Sequence, residues 1–391
     1  GLKNGTTYNF SITAENSKGS SDVVTTNSIK PEATNSSSTI DSLSRVNYLA
    51  TTTWRGLPTI VYADELSGQL KIATFRTSRW TIQKMREGVR IGNISLCKSG
   101  KGSSEVLHII YADLENKDVI HGFQSGAKWK FEIVDGNGAQ VQDYSELTRV
   151  RTAADLSVSN ACAVTPAGLQ VFYRDETQGI LLGAVKTDGG WVYEIVDGDR
   201  KTDGHTTGDV AFHLVATSVD RTVYLFYDSV LTINASQNPL EGEVRLSSRS
   251  SIYPEDWRYE TVDGPDNGVS VAGFALSISK SDSAVGLAWL AANGNSLPSA
   301  DQIRIAGVDD FDFPNVISSA NYGRPQLPLA LDNKGLIFGC DGRACKTSSD
   351  GSTVKLANGA MIASTSAAIT SVGKTRYLVT TIGGKLSWIK L

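Results

Sequence analysis

Aspartates recur in this chain at a spacing that invites chemistry. Asp64, Asp113, Asp175 and Asp228 each close an apolar run that ends in an aromatic residue. A ring of such carboxylates could hold a cation or a sugar. The alternative is an aspartate that accepts backbone N–H bonds in the turn after its strand. A residue repeated in every unit generally serves the unit, so the structural role is the expectation. The same reasoning assigns Trp80, Trp129, Trp191 and Trp257 to packing between units rather than to stacking platforms.

Chemistry is then expected where the units differ. The connections 136–154 and 198–209 and the insertion 230–242 are long, and the repeat grammar puts them all on one face. They carry Asp143, Tyr144, Arg149, Arg151, Arg200, Asp203, His205 and Asp209. With Arg174, the ligand-binding candidates become Asp143, Tyr144, Arg151, Arg174, Arg200, His205 and Asp209. Mixed charge beside a tyrosine suits a polar, glycan-like ligand, and equally a solvated surface. Asp197-x-Asp199-x-x-x-Asp203-Gly204 has the look of a calcium loop but lacks the closing acid. Calcium at Asp197, Asp199 and Asp203 is therefore the lesser expectation, and no other cofactor is expected. The histidines, His108, His121, His205 and His213, show no metal-ligand spacing. No Gly-x-Ser-x-Gly elbow appears. A glycosidase needs two well-placed acids, and the 41 acids here do not reveal them.

The elements that must position these residues form a repeat. An apolar strand ending in aromatic and Asp, a turn, a second strand, a tryptophan and a third strand recur four times. These units begin at Thr59, Leu107, Leu169 and Val223, each preceded by one more apolar strand. Four strands per unit at a period of roughly 50 to 60 residues is the signature of propeller blades. Three weaker units follow, at 271–318, 326–357 and 363–391, the last with only three strands. The missing strand is available at 38–43, and pairing it there removes two open sheet edges. The expectation is an all-β, seven-bladed β-propeller of four-stranded antiparallel blades closed by an N-terminal strand, with six blades as runner-up.

Four cysteines suit an oxidising compartment. Cys340 and Cys345 flank Asp341-Gly342, a hairpin signal, so a disulfide across that hairpin is expected. Cys97 and Cys162 fall at matching places in adjacent units, which predicts a second bridge.

Two resemblances add to this. Near the start, Tyr8, Phe10, Ile12 and Ala14 alternate with polar residues; Leu2 with Tyr8, and Asn16 with Gly19, resemble the tyrosine corner and final hairpin of a fibronectin type III domain. That resemblance implies a domain remnant at 1–33, a linker and closing strand at 34–45, a propeller at 46–391, and further domains upstream. Residues 59–264 resemble bacterial secreted propeller repeats of the Tyr-x-Asp, Trp type, and more distantly fucose-binding propeller lectins. Those lectins pair an arginine and a glutamate with an aromatic, and only Arg174 offers the arginine here.

Net charge is −4 with 20% charged residues, which excludes the dense basic face of a nucleic-acid binder. No apolar run is long enough for a membrane-spanning helix. The expectation is a secreted or cell-surface, non-catalytic recognition or adhesion module with an extracellular glycan or protein as ligand. The alternatives are a propeller glycoside hydrolase or polysaccharide lyase, and a structural surface or filament subunit.

Overall fold

The computed structural model describes residues 6–28, 37–136, 154–207, 209–237, 239–250, 256–281, 284–292, 302–308, 311, 314–318, 329–332, 334–340, 343–347, 353–355 and 367–391. Its strands make five four-stranded sheets, one of eight strands, and two small ladders near the start. The first sheet holds Val46–Trp54, Leu57–Asp64, Gln69–Arg76 and Arg79–Glu87. The second holds Ile91–Ser99, Val106–Asp113, Asp118–Ser125 and Lys128–Asp135, and the third Asn160–Thr165, Gly168–Asp175, Ile180–Thr187 and Gly190–Asp197. The eight-stranded sheet is two such groups bridged in parallel at Gly242 and Val271. Its first half, the fourth group, is Asp209–Val219, Thr222–Ile233, Pro239–Ser250 and Arg258–Asp263. The fifth is Val271–Lys280, Val285–Ala292, Gln302–Gly307 and Asn315–Ser318. Ala330–Asp332, Gly335–Cys340, Arg343–Thr347 and Thr353–Lys355 form the sixth. The last joins Ala368–Val372, Thr375–Ile382 and Lys385–Lys390 to Ser37–Asp41, so the N-terminal strand pairs where the sequence expected it.

The leading strand of each group packs on the leading strand of the next, and Ala368–Val372 returns to Val46–Trp54. Apolar clusters fill each junction; one around Val61, Leu70, Ile109 and Tyr111 joins the first sheet to the second. Second strands such as Leu57–Asp64 are buried on both faces, which is why they read as unbroken apolar runs rather than alternating ones.

A polar latch repeats at these junctions. Tyr62 Oη donates to Asp41 Oδ2 (2.8 Å), Tyr173 Oη to Asp135 Oδ2 (2.9 Å) and Tyr227 Oη to Asp197 Oδ2 (2.6 Å). Trp289 Nε1 makes the same bond to Asp263. In each case the aromatic is on the second strand of one group and the aspartate ends the fourth strand of the group before. Three latches add a cation beside the aromatic: Lys71 on Asp41 and Asp64, Arg245 on Asp197, Arg304 on Asp263. Buried carboxylates of this kind persist only when paired and hydrogen-bonded. The second sheet lacks the acid, and there Arg86 donates to Tyr111 Oη instead.

Cys97 and Cys162 form a disulfide between the leading strands of the second and third sheets, as predicted. The hairpin at Cys340 is present, with Arg343 opposite Cys340 and Phe338 opposite Cys345; the side chains of Cys340 and Cys345 lie outside the described residues. Near the start, Ser11–Ile12 pairs with Val24–Thr25, and Glu15–Asn16 with Gly19–Ser20. Phe10, Ile12, Val23 and Val24 stay exposed there, since two short ladders cannot enclose a core. Among the described residues, no helix is long and apolar enough to cross a membrane.

Candidate functional site

The leading strands do not run straight. Their register slips at Val46/Leu49, Ile91/Ile94, Val210/Leu214 and Ala272/Leu276, always at the end where each strand begins. Bulges of this kind re-aim side chains and gather beside active sites. In the first two sheets two residues stand in the bulge. In the fourth there are three, Ala211, Phe212 and His213, facing Asp228 alone.

His213 is held at two points. Its backbone N–H donates to Asp228 Oδ1 (2.8 Å), and its ring Nδ1 bonds Asp228 Oδ2 (2.9 Å). No described residue bonds Nε2, and the side chain is 39% exposed, so that nitrogen is available to a ligand. Burial pulls the imidazole pKa down, but the Asp228 charge and hydrogen bond outweigh it and hold the pKa above the ordinary value of 6.5. Ala211 carries φ +64, unusual for a residue with a Cβ, where the fifth group has Gly273 at φ +98. Strain is thus accepted at the bulge that presents His213.

Register also corrects the reading of Asp228 as a fourth copy of the repeated aspartate. Val210 opposes Ser229 as Val46 opposes Asp64 and Ile91 opposes Asp113, so Ser229 occupies the repeated position. Asp228 stands one residue earlier, beside the latch tyrosine, and a one-residue shift turns a strand side chain to the other face. The other three aspartates do what the turn reading expected. Asp64 Oδ1 accepts from Leu66 N, Asp113 Oδ1 from Glu115 N, and Asp175 Oδ1 from Thr177 N.

Arg174 lies where Asp228 does, one sheet earlier, and is 1% exposed. It bonds Val210 O and Asp209, and its guanidinium sits 3.7 Å from the Phe212 ring centroid. Its place is beneath the bulge, propping the residues that carry His213. Asp209 is half exposed at the start of that strand. The His205 side chain is buried, with Nδ1 on Asp199 (2.9 Å) and Nε2 against Arg200 and the Tyr259 hydroxyl. Asp197 has its oxygens occupied by Gly198 N, Thr206 N, Tyr227 and Arg245. Asp199 meets His205 and Arg200, while Asp203 points outward. Among the described residues, no group of three His, Cys, Asp or Glu side chains could hold a metal ion. Asp143, Tyr144, Arg149 and Arg151 lie outside the described residues.

His108 and His121 belong to a chain that runs from the second sheet to the third: Ser99 Oγ, His108, His121, Glu132 and Lys186 are linked by contacts of 2.8–3.0 Å. Burial, and then His121, push His108 down to about 4, so it stays neutral near pH 7 and is a weak base. Glu194 fills the corresponding place in the third sheet and is bonded by Arg249 and Trp257. The histidine chain is thus one of two ways of satisfying a partly buried glutamate at a sheet junction.

No protein-family model and no curated relative matches the chain. Solved structures do match. The polysaccharide lyase Uly1 is 9% identical with a TM-score of 0.54, over 88% of this chain and 89% of its own. The α-L-arabinofuranosidase Arb93A from Fusarium graminearum is 12% identical (TM-score 0.47; 78% and 94% covered), and the Drosophila semaphorin 1b extracellular domains are 9% identical (0.48; 92% and 86%). The chain therefore has a β-propeller-like, all-β fold. The expectation of a non-catalytic recognition or adhesion module is corrected here. The lyase shares the fold along 88% of this chain, and a histidine–aspartate pair stands where the units differ.

Proposed function

We propose that this chain degrades an acidic polysaccharide by elimination, with His213 as the base. The observation that carries this reading is the His213–Asp228 pair, which fixes Nδ1 and leaves Nε2 to a substrate. In such a reaction the base takes the C5 proton next to a uronate carboxylate. The C4–O bond then breaks, a C4=C5 double bond forms, and the departing oxygen takes a proton. A base suits this step when its pKa lies near the working pH, and the raised pKa of His213 serves that. Hydrolysis needs two carboxylates across the bond, whereas Asp228 is spent on His213. The fold likeness to a polysaccharide lyase supports the same choice.

The wider reading is a seven-bladed propeller over 46–391, closed by the strand that ends at Asp41. Residues 1–33 are the end of a fibronectin type III domain, and 34–45 the linker and closing strand. The substrate-contacting set is Asp143, Tyr144, Arg151, Arg200 and Asp209 on the long connections, with Arg174 and His205 positioning them. The disulfide supports a secreted or cell-surface location.

The test is to incubate the chain with polygalacturonate, alginate and a glucuronate-rich polysaccharide, following ultraviolet absorbance of unsaturated uronate and new reducing ends together. Elimination raises both signals. Reducing ends without absorbance would mean hydrolysis and sink the proposal, as would no reaction on any of the acidic polymers.

A further inference from the structure

At the opposite strand ends from His213, a cavity of about 240 Å3 opens between the first and second sheets. Ile72 and Trp54 are buried at its base, and Arg55, Arg76, Gln83 and Gln124 are among the polar residues around it. Two features of its lining point to a ligand there. Gln124 Oε1 is buried without a hydrogen-bond partner among the described residues, an arrangement that is destabilising unless something donates to it. The Arg76 guanidinium makes no ion pair or hydrogen bond among the described residues, and Arg79 stands directly opposite it in the hairpin. Like charges placed so are destabilising. The two residues that turn this hairpin, Thr77 and Ser78, hold φ +43 and +67; Thr is β-branched, and such a residue at positive φ is a genuine outlier. The corresponding turn of the second sheet has a glycine, Gly126.

Arg55 completes the set. Its guanidinium lies 4.5 Å from the Trp54 ring centroid, and Nε donates to Glu105 O (3.1 Å), so the fork is fixed at the rim. Two guanidinium groups want an anion, and a lone buried amide oxygen wants a hydroxyl or N–H donor. One ligand offers both: a sugar bearing a carboxylate or sulfate.

We infer that the cavity bounded by Trp54, Arg55, Arg76, Gln83 and Gln124 is a second binding site for one acidic sugar residue, remote from His213. The anionic group lies between Arg55 and Arg76, and a ring hydroxyl donates to Gln124 Oε1. The choice of an acidic glycan rests on the proposed function; the binding itself does not require that His213 be catalytic.

The experiment is calorimetric titration of the full chain with trigalacturonate, with a sulfated trisaccharide and with neutral maltotriose. The carboxylated and sulfated ligands separate the two sources of anion. Binding of at least one acidic ligand but not maltotriose is expected. Arg76→Ala and Gln124→Ala should each weaken it about tenfold or more, and Arg76→Lys should lose less. Thermal unfolding of each variant checks folding. The inference is overturned if neither acidic ligand binds, if maltotriose binds equally, or if folded Arg76→Ala and Gln124→Ala bind like the parent. Should elimination be absent while Arg76→Ala still abolishes binding, the catalytic reading falls and this one stands.

Discussion

In the third sheet the latch tyrosine, Tyr173, is followed by Arg174, buried against Val210 O, Asp209 and the Phe212 ring. In the fourth, Tyr227 is followed by Asp228, whose two oxygens hold His213. The tyrosines are interchangeable, each donating to the aspartate that ends the preceding sheet. The residues after them are not. One props the bulge from behind, and the other orients its imidazole from the front. A repeated scaffold therefore fixes the backbone, and single-residue departures within it supply the chemistry.

The largest effect should come from His213→Ala, which removes the base. Elimination in the proposed reaction should fall about 10²–10⁴-fold in kcat/KM, and the unfolding midpoint should fall as well at acidic pH, where the pair with Asp228 stabilises the fold. Asp197→Ala attacks the scaffold instead. It strands Arg245 and removes the acceptor of Tyr227, so urea denaturation should show a loss of about 3–5 kcal/mol. Replacing Cys97 and Cys162 by serine opens a link between residues 65 apart, and about 2–4 kcal/mol should go with turnover largely kept. Gly273→Ala sharpens the comparison. A Cβ there would sit 2.6 Å from Asp228 Cβ at φ +98, so about 1–3 kcal/mol of stability should be lost, with activity falling as Asp228 is displaced. Ala211→Gly relieves a positive φ and should cost no stability when measured the same way.

Much of the scaffold was legible in the chain. Apolar runs closed by turn residues marked the strands, and aligning the units paired Cys97 with Cys162 correctly. Edge removal was reason enough to send the N-terminal strand to the last sheet. The candidate site was not legible, because a bulge is a matter of backbone register and leaves no hydrophobic period behind. One signal was present. The first three units read Tyr-x-Asp, whereas the fourth reads Phe-Tyr-Asp with no spacer. Taking Tyr227 as the fixed point moves Asp228 off the turn position and onto the face that meets His213. Arg174 stood out in the sequence as an arginine beside an aromatic, but its burial follows from tertiary packing that no local pattern reports.

The pairing of His213 with Asp228 makes a claim about pH. In the proposed reaction the neutral imidazole is the base, so elimination should rise with pH through an apparent pKa above 6.5. The same pair stabilises the fold fully below pH 6.5, and that contribution fades as pH rises through the raised pKa, so activity and this stabilisation run in opposite directions. The most direct measurement is the pH dependence of kcat/KM for the parent and for Asp228→Asn. Without the carboxylate charge, burial dominates, and the limb should move below 6.5 with a lower plateau. A limb that stays in place in Asp228→Asn, or one that survives in His213→Ala, would contradict the assignment of His213 as the base.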